Sequence, residues 1–205
     1  MANSIFASSV KRLYKQSGFD KTIPKTAFQK NLITAQEYFD ITGEQFTESL
    51  DNVKQAKILE CDKACSAAII AGCDATLTDG TVEHFAWTAE DQINIATAEK
   101  AIQGGAPSFP YHADNKLCRL YSAADIIKII TAATAHKTYH TTYFNHLKTW
   151  INRCTTVDEV NAITYGVTLP DDLLTSLNNI VEAMQQLLAS ENTPKDENTT
   201  NQENA

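Results

Sequence analysis

The sequence lacks a long apolar run. None of its 205 residues lies in a stretch approaching the roughly 18 consecutive apolar residues that a membrane-spanning helix needs, so we expect no membrane partner. The first residues, MANSIFASSVKRLYK, have no charged region ahead of an apolar segment and do not resemble a secretory signal. These two absences argue against an integral membrane protein and a secreted protein.

Clustered positive charge is also absent. The pair Lys11–Arg12 is the largest basic group, and 17 Lys and Arg residues face 25 Asp and Glu, for a net charge of −8. Binding to a phosphate backbone depends on clustered Lys and Arg, so we expect no nucleic-acid partner. The apolar fraction of 43% is enough for a core, in one ordinary domain or two small ones.

No recognisable metal framework is present. Cys61 and Cys65 lie four residues apart and could form half of a metal site, but no matching Cys/His pair follows, and buried cysteine often packs as a small apolar residue. His136 and His140 also lie four apart, yet no Glu stands between them as in HExxH sites, so we favour a packing role. We expect no metal and no cofactor. The odd cysteine count favours reduced thiols: Cys61, Cys65, Cys73, Cys118 and Cys154.

A complete catalytic constellation is missing as well. The sequence has no Gly-rich phosphate loop and no nucleophile elbow. His112 near Asp114 could form an acid–base pair, but the sequence Asp-Asn is more typical of a turn. We therefore predict that the chain is not an enzyme, with a metal-dependent enzyme as one alternative.

Three aromatic residues could instead form a surface on which a sugar ring stacks. Burial between hairpins and helices is the interpretation that we favour for them. The three are Trp87, Tyr111 and Tyr121.

The longest regular pattern spans residues 122–153, which contain neither Gly nor Pro. It opens with Ser122 and Asp125 in the arrangement of a capping box. Apolar positions recur in steps of four and three, which predicts one helix about 45 Å long with two packing partners. The positions are Ile126, Ile130, Ala133, His140, Phe144, Leu147 and Ile151.

The remaining patterns predict shorter elements. Short helices over 5–17, around 25–31 and from Thr34 precede a long helix over 47–72. Asp79-Gly80 predicts a hairpin between strands 75–77 and 82–86, and Thr88 opens a further helix. A second hairpin is predicted around Asp114-Asn115, with strands at 111–113 and 117–121, and Pro170 precedes a last amphipathic helix.

These elements predict a mainly α (α+β) fold, a long-helix bundle with two small β-hairpins. We divide it into a helical module at 1–46, an α-rich domain at 47–188 and a disordered acidic tail at 189–205. The tail is polar and lacks aromatic residues, a composition that cannot bury enough apolar surface to fold.

The opening module resembles the short XkdX-type proteins of phages and phage-like particles. A first helix ending in a Lys/Tyr pattern and a closing Ile-Thr … Tyr … Ile-Thr-Gly signature carry the resemblance over about the first 46 residues. The matching residues are Val10, Lys11, Leu13, Tyr14, Ile33, Thr34, Tyr38, Ile41, Thr42 and Gly43.

Residues 61–170 resemble a domain of unknown function found in many phage and prophage tail proteins. The resemblance rests on Asp79-Gly80, Phe85, Thr88, Asp91, Gln92, Asn94, Tyr111, His112, the long helix and the turn at 156–160.

Together the two resemblances imply a non-enzymatic structural or assembly component of a phage or prophage tail, at its baseplate or fibre region. They imply other tail proteins as partners, with self-association as a homo-oligomer also open. They place the chain in the virion tail, or in the bacterial cytoplasm during assembly. A receptor- or glycan-binding tail tip is the alternative. The predicted partner-binding residues are Leu13, Tyr14, Ile33, Tyr38, Ile41 and Gly43.

Overall fold

The computed structural model describes residues 4–46 and 49–191. Within those residues it contains eight helices and four short strands, which confirms the mainly α fold with two small hairpins. The chain divides into two compact units, Met1–Asn52 and Val53–Ala205. Among the described residues, no helix is long and apolar enough to cross a membrane.

The first unit holds three helices, and a fourth begins at its end. They are α1 (Ser4–Gln16), α2 (Thr22–Gln29), α3 (Ala35–Thr42) and α4 (Leu50–Ala71). The second unit continues α4 with β1 (Cys73–Thr76), β2 (Val82–Phe85), α5 (Ala89–Gln103), β3 (Ser108–Tyr111), β4 (Arg119–Ser122), α6 (Ala123–Arg153), α7 (Val157–Asn161) and α8 (Asp171–Glu191).

Local capping chemistry fixes the starts of α3, α5 and α7. Thr34, Thr88 and Thr156 each accept a hydrogen bond from the backbone three residues later and form complete capping boxes. The prediction for α2 was wrong by three residues, because Pro24 lies inside the first turn and not ahead of it. The first turn tolerates proline, since its backbone N–H groups have no partner within the helix.

Helix α6 is the predicted long helix, and it organises the second unit. Ser122 caps it by accepting a hydrogen bond from the Asp125 backbone. Its inward face includes Ile126, Ile129 and Leu147, all fully buried. The hairpins, α5 and α8 all pack against it, so it has more partners than the two predicted.

Helices α4 and α8 both run antiparallel to α6. Lys54 Nζ donates to the Asn152 carbonyl at 2.9 Å, and near the other end of α4 the Ala68 carbonyl accepts from His136 Nε2 at 3.0 Å. On α8, Asp172 pairs with Arg153 at 2.6 Å. The predicted packing of the 47–72 helix on the long helix is thus confirmed, although Thr47 and Glu48 lie outside the described residues.

The first hairpin pairs β1 with β2, and the second pairs β3 with β4, both antiparallel. The second hairpin begins earlier than predicted, because Pro110 lies within β3 and pairs with Leu120. Proline is tolerated in such an edge strand, where its missing N–H removes no ladder bond from a central position. Leu117, a predicted strand residue, lies in the connecting loop and is 91% exposed.

Glycine 72 joins α4 to the first hairpin. Its φ of +84° lies in the left-handed region that favours glycine, and a Cβ built there would lie 1.9 Å from the Phe85 carbonyl oxygen. The β2 backbone therefore passes directly against this turn, and just beyond it the Trp87 N–H donates to the Ile70 carbonyl at 3.1 Å.

The last helix extends past its predicted end. Helix α8 continues to Glu191, so the prediction was wrong for residues 189–191, which are helical and not part of a disordered tail. The rest of that predicted tail, residues 192–205, lies outside the described residues.

Candidate docking surface

The residues predicted to bind a partner differ in how far the fold leaves them accessible. Tyr14, Ile33 and Tyr38 are each at most 6% exposed and serve the interior of the first unit. Ile41 is partly buried against the same core, and Gly43 is the left-handed C-cap of α3 with φ +75°. Among the predicted residues, Leu13 is the large side chain that stays open, at 47% exposed.

Tyr38 stands at the centre of an aromatic cluster within this unit. Its ring lies 5.2 Å from Phe46 and 6.2 Å from Phe28, and the Phe28 and Phe46 rings are 4.3 Å apart. Edge-to-face contacts of this kind stabilise a core beyond the area that they bury. In this fold Tyr38 holds the three helices together. We therefore expect a partner to contact other side chains and not Tyr38.

Among the described residues of the unit, four large apolar residues remain open to solvent. Phe6 and Leu13 lie seven residues apart on one face of α1, at 44% and 47% exposed, while Val10 between them turns to the core. Phe39 on α3 is 44% exposed, and Phe19 in the loop after α1 is 62% exposed. We call this group the exposed apolar set: Phe6, Leu13, Phe19 and Phe39.

The loop after α1 holds Phe19 outward. Gly18 and Phe19 have φ values of +71° and +67°, and the Phe19 N–H donates to the Tyr14 carbonyl at 2.9 Å. A left-handed conformation is uncommon for an aromatic residue. The Tyr14 ring meets the Phe19 ring edge-on at 5.3 Å and supports it.

Sequence reasoning missed Phe6 and Phe19 as exposed residues. No local pattern signalled it for Phe6, because Phe6 and Leu13 lie four and three residues from Val10, and that spacing places them on the same side of α1 as this core residue. Helix α1 also carries Lys11, Arg12 and Lys15 and no acidic residue, in a chain whose net charge is −8.

In the second unit, the two predicted histidines join α6 to α4 and to the loop after α7. His136 Nε2 donates to the Ala68 carbonyl, and His140 Nδ1 lies 2.9 Å from the Tyr165 hydroxyl. Their rings meet edge-on at 4.5 Å. Burial, with the nearby His136 ring, lowers the pKa of His140. Because Nε2 of His136 carries a proton in this contact, it has no lone pair for a metal.

Cys61 and Cys65 are both buried, at 0% and 5% exposed. Burial raises the pKa of each thiol, which keeps it protonated and unreactive. The Cys65 thiol donates to the His140 carbonyl at 3.3 Å. All five cysteines are free, and over 4–46 and 49–191 no three His, Cys, Asp or Glu side chains come together as a metal site.

The carboxylate of Asp114 pairs with His84 and not with His112. Asp114 Oδ2 lies 2.9 Å from His84 Nδ1, and its other oxygen accepts from the Ala86 N–H at 2.9 Å. The Asp114 N–H donates to the His84 carbonyl as well. Asp114 is therefore more than the turn residue that the sequence predicted, since it ties the loop of the second hairpin to β2.

The aromatic residues considered for sugar stacking are interior. Trp87, Tyr111 and Tyr121 are 3%, 6% and 1% exposed, and Phe85 packs between the two tyrosine rings at 6.0 Å from each. The predicted burial is confirmed, and a sugar-stacking surface at these residues is wrong.

Two family profiles match the chain, in the order that the resemblances predicted. A family described as a phage uncharacterised protein, Phage_XkdX, matches residues 8–46. A family described as a domain of unknown function, DUF4376, matches residues 52–165, which are more than half of the chain. No curated protein and no solved structure matches. The chain is a phage protein that belongs to the DUF4376 family and carries a Phage_XkdX module ahead of that domain.

Proposed function

We propose that the protein is a non-enzymatic structural or assembly component of a phage tail, at the baseplate or fibre region. In this proposal residues 1–46 attach it to other tail proteins, and the DUF4376 domain is the part that is attached. The protein would be found in the virion tail, or in the bacterial cytoplasm while tails assemble.

The exposed apolar set is the observation that carries this proposal. Among the described residues of the first unit, the large apolar side chains that are buried are Val10, Tyr14, Ile33 and Tyr38, so as many large apolar side chains are open as are buried. Exposed apolar side chains that share a surface mark protein–protein interaction sites. Two of them, Phe6 and Leu13, share a helix face, which suits the docking of a helix into an apolar groove.

The experiment is to delete the gene in a host that produces the phage and to restore it in trans. Particles would be purified and the protein quantified in them by mass spectrometry. We expect wild-type protein in the particles, and about tenfold less of the variant Phe6→Ser/Leu13→Ser, because central apolar anchors carry most of the energy of an interface.

The variant Ile93→Ser is the matched control. Ile93 is 67% exposed on α5, outside the first unit, and its loss should leave the protein in the particles. Absence of the wild-type protein from purified particles would overturn the assignment. Normal incorporation of Phe6→Ser/Leu13→Ser would overturn the role of the exposed apolar set.

A further inference from the structure

Helix α8 carries an apolar seam that its own chain covers only in part. The seam residues follow one another in steps of four, three, four and three, which places them along one side of the helix. We call this line the α8 seam: Leu173, Leu177, Ile180, Met184 and Leu187. Leu173 and Leu177 are 6% and 2% exposed, but Ile180 and Leu187 are 40% and 60% exposed.

The open half of the seam borders a groove between α6 and α8. The groove has a volume of about 260 Å³, and Tyr139 of α6 and Val181 and Met184 of α8 contribute to its lining. Tyr139 is itself 43% exposed. The apolar surface on α8 therefore continues across the groove onto α6.

Charge distribution favours a second copy of the chain as the partner. Between Leu173 and Ser190 the helix has a single charged residue, Glu182, and its polar positions are mostly Asn, Gln, Ser and Thr. Two chains that each carry a net charge of −8 repel each other across most surfaces. At the α8 seam two identical copies can meet with almost no like charges facing each other.

Residues 192–205 are unsuited to covering the open half of the seam. They contain no Val, Ile, Leu, Met or aromatic residue, so they have no side chain that fits an apolar groove. A seam with four–three spacing is complementary to an identical seam, as in coiled coils.

We propose that the protein forms a homodimer in which the α8 seams of two copies pack together about a two-fold axis. Ile180, Met184 and Leu187 of each copy become buried, and side chains from one seam enter the groove beside Tyr139 of the other. Such an interface uses the same surface on both subunits and closes without further assembly. This dimer does not depend on the attachment proposed for residues 1–46.

Sedimentation equilibrium of the purified full chain, from low to high micromolar concentration, tests the proposal. We expect a mass that rises with concentration from the monomer value of 22.6 kDa to twice that value. The variant Ile180→Glu/Leu187→Glu should raise the dissociation constant by more than about tenfold, since it places charge at the centre of the interface.

The control variant Ile93→Glu places one such charge at a 67% exposed apolar residue on α5 and should leave dimerisation unchanged. Both variants replace exposed side chains, so thermal melting should show that each is folded. A wild-type chain that stays monomeric throughout would overturn the proposal. Dimerisation that survives Ile180→Glu/Leu187→Glu, or that Ile93→Glu abolishes equally, would overturn it as well.

Discussion

The Tyr121 hydroxyl donates a hydrogen bond of 2.6 Å to Glu83 Oε2, and both residues are buried. Tyr121 belongs to β4 and Glu83 to β2, so this bond joins the two hairpins. Arg119 and Lys116 donate to the same carboxylate at 3.1 and 3.3 Å, and the Arg119 guanidinium lies 4.0 Å above the Tyr121 ring. A single buried carboxylate therefore holds three side chains of the second hairpin.

Replacing this carboxylate by its neutral isostere should destabilise the protein. We expect Glu83→Gln to lower the free energy of unfolding by about 1–2 kcal/mol, because a charged acceptor of three hydrogen bonds becomes a neutral one. Urea unfolding at neutral pH measures the change. Asp74→Asn removes an exposed carboxylate from the paired strand β1 and should stay within about 0.5 kcal/mol of wild type.

The loss of stability in Glu83→Gln should depend on pH. Burial raises the pKa of Glu83, but the hydrogen bonds from Tyr121, Arg119 and Lys116 outweigh it, and the net pKa is lowered from its ordinary 4.5. The ionised form stabilises the fold above pH 4.5, and this contribution is lost as the pH falls through the lowered pKa. A Glu83→Gln defect that stayed constant from neutral pH to pH 3 would contradict this assignment.

His140 predicts a second, separate pH effect. The pKa of His140 in the fold is lowered from the ordinary 6.5. At a pH between this lowered pKa and 6.5, the unfolded chain therefore binds more protons than the folded one. The free energy of unfolding should therefore fall as the pH decreases below 6.5. His140→Gln can still bond the Tyr165 hydroxyl and should show a smaller fall in melting temperature between pH 7.5 and 5.5. An identical fall in both proteins would count against the shift.

Metal content provides a third test. We predict no stoichiometric zinc or iron in the purified protein, because both histidines are engaged in contacts with Ala68 and Tyr165. The variant His136→Asn/His140→Leu should melt at a lower temperature with unchanged metal content, since it alters packing alone. Elemental analysis that finds about one metal ion per chain, lost in the variant, would reverse the prediction.

Removal of the opening module should leave the rest of the chain folded. We expect residues 47–205 to melt cooperatively, because the long helices of the second unit bury one another's apolar faces without it. This shortened chain should fail to enter phage particles. A broad, non-cooperative transition by circular dichroism would mean that residues 1–46 complete the core of the domain.

Removal of residues 192–205 should leave the melting temperature unchanged. This segment has no large apolar side chain to bury, and it lies beyond the residues that form α8 in the structure, Asp171–Glu191. Differential scanning calorimetry of the full and shortened chains measures the difference. A decrease of several degrees would show that the segment contributes to the fold.

The sequence predicted those features that depend on neighbouring residues. Thr34 with Glu37 and Ser122 with Asp125 determine helix starts within a single turn, so their spacing alone was sufficient. The pairing of Asp114 with His84 joins residues 30 positions apart, and no local pattern signals it. The candidate docking surface could not be predicted from local patterns either. Whether an apolar residue such as Tyr38 or Leu13 faces the core depends on how three helices pack.

Gly72 has a consequence for how sequences of this family can vary. The β2 backbone lies so close that even a methyl group would overlap the Phe85 carbonyl, and the left-handed φ separately disfavours any other residue. Neither problem can be relieved by repacking a side chain, because both involve the main chain. In a saturation mutagenesis library selected for folding, we expect this codon to return glycine alone, while Gly80, with no atom near its missing Cβ, admits Asn and Asp.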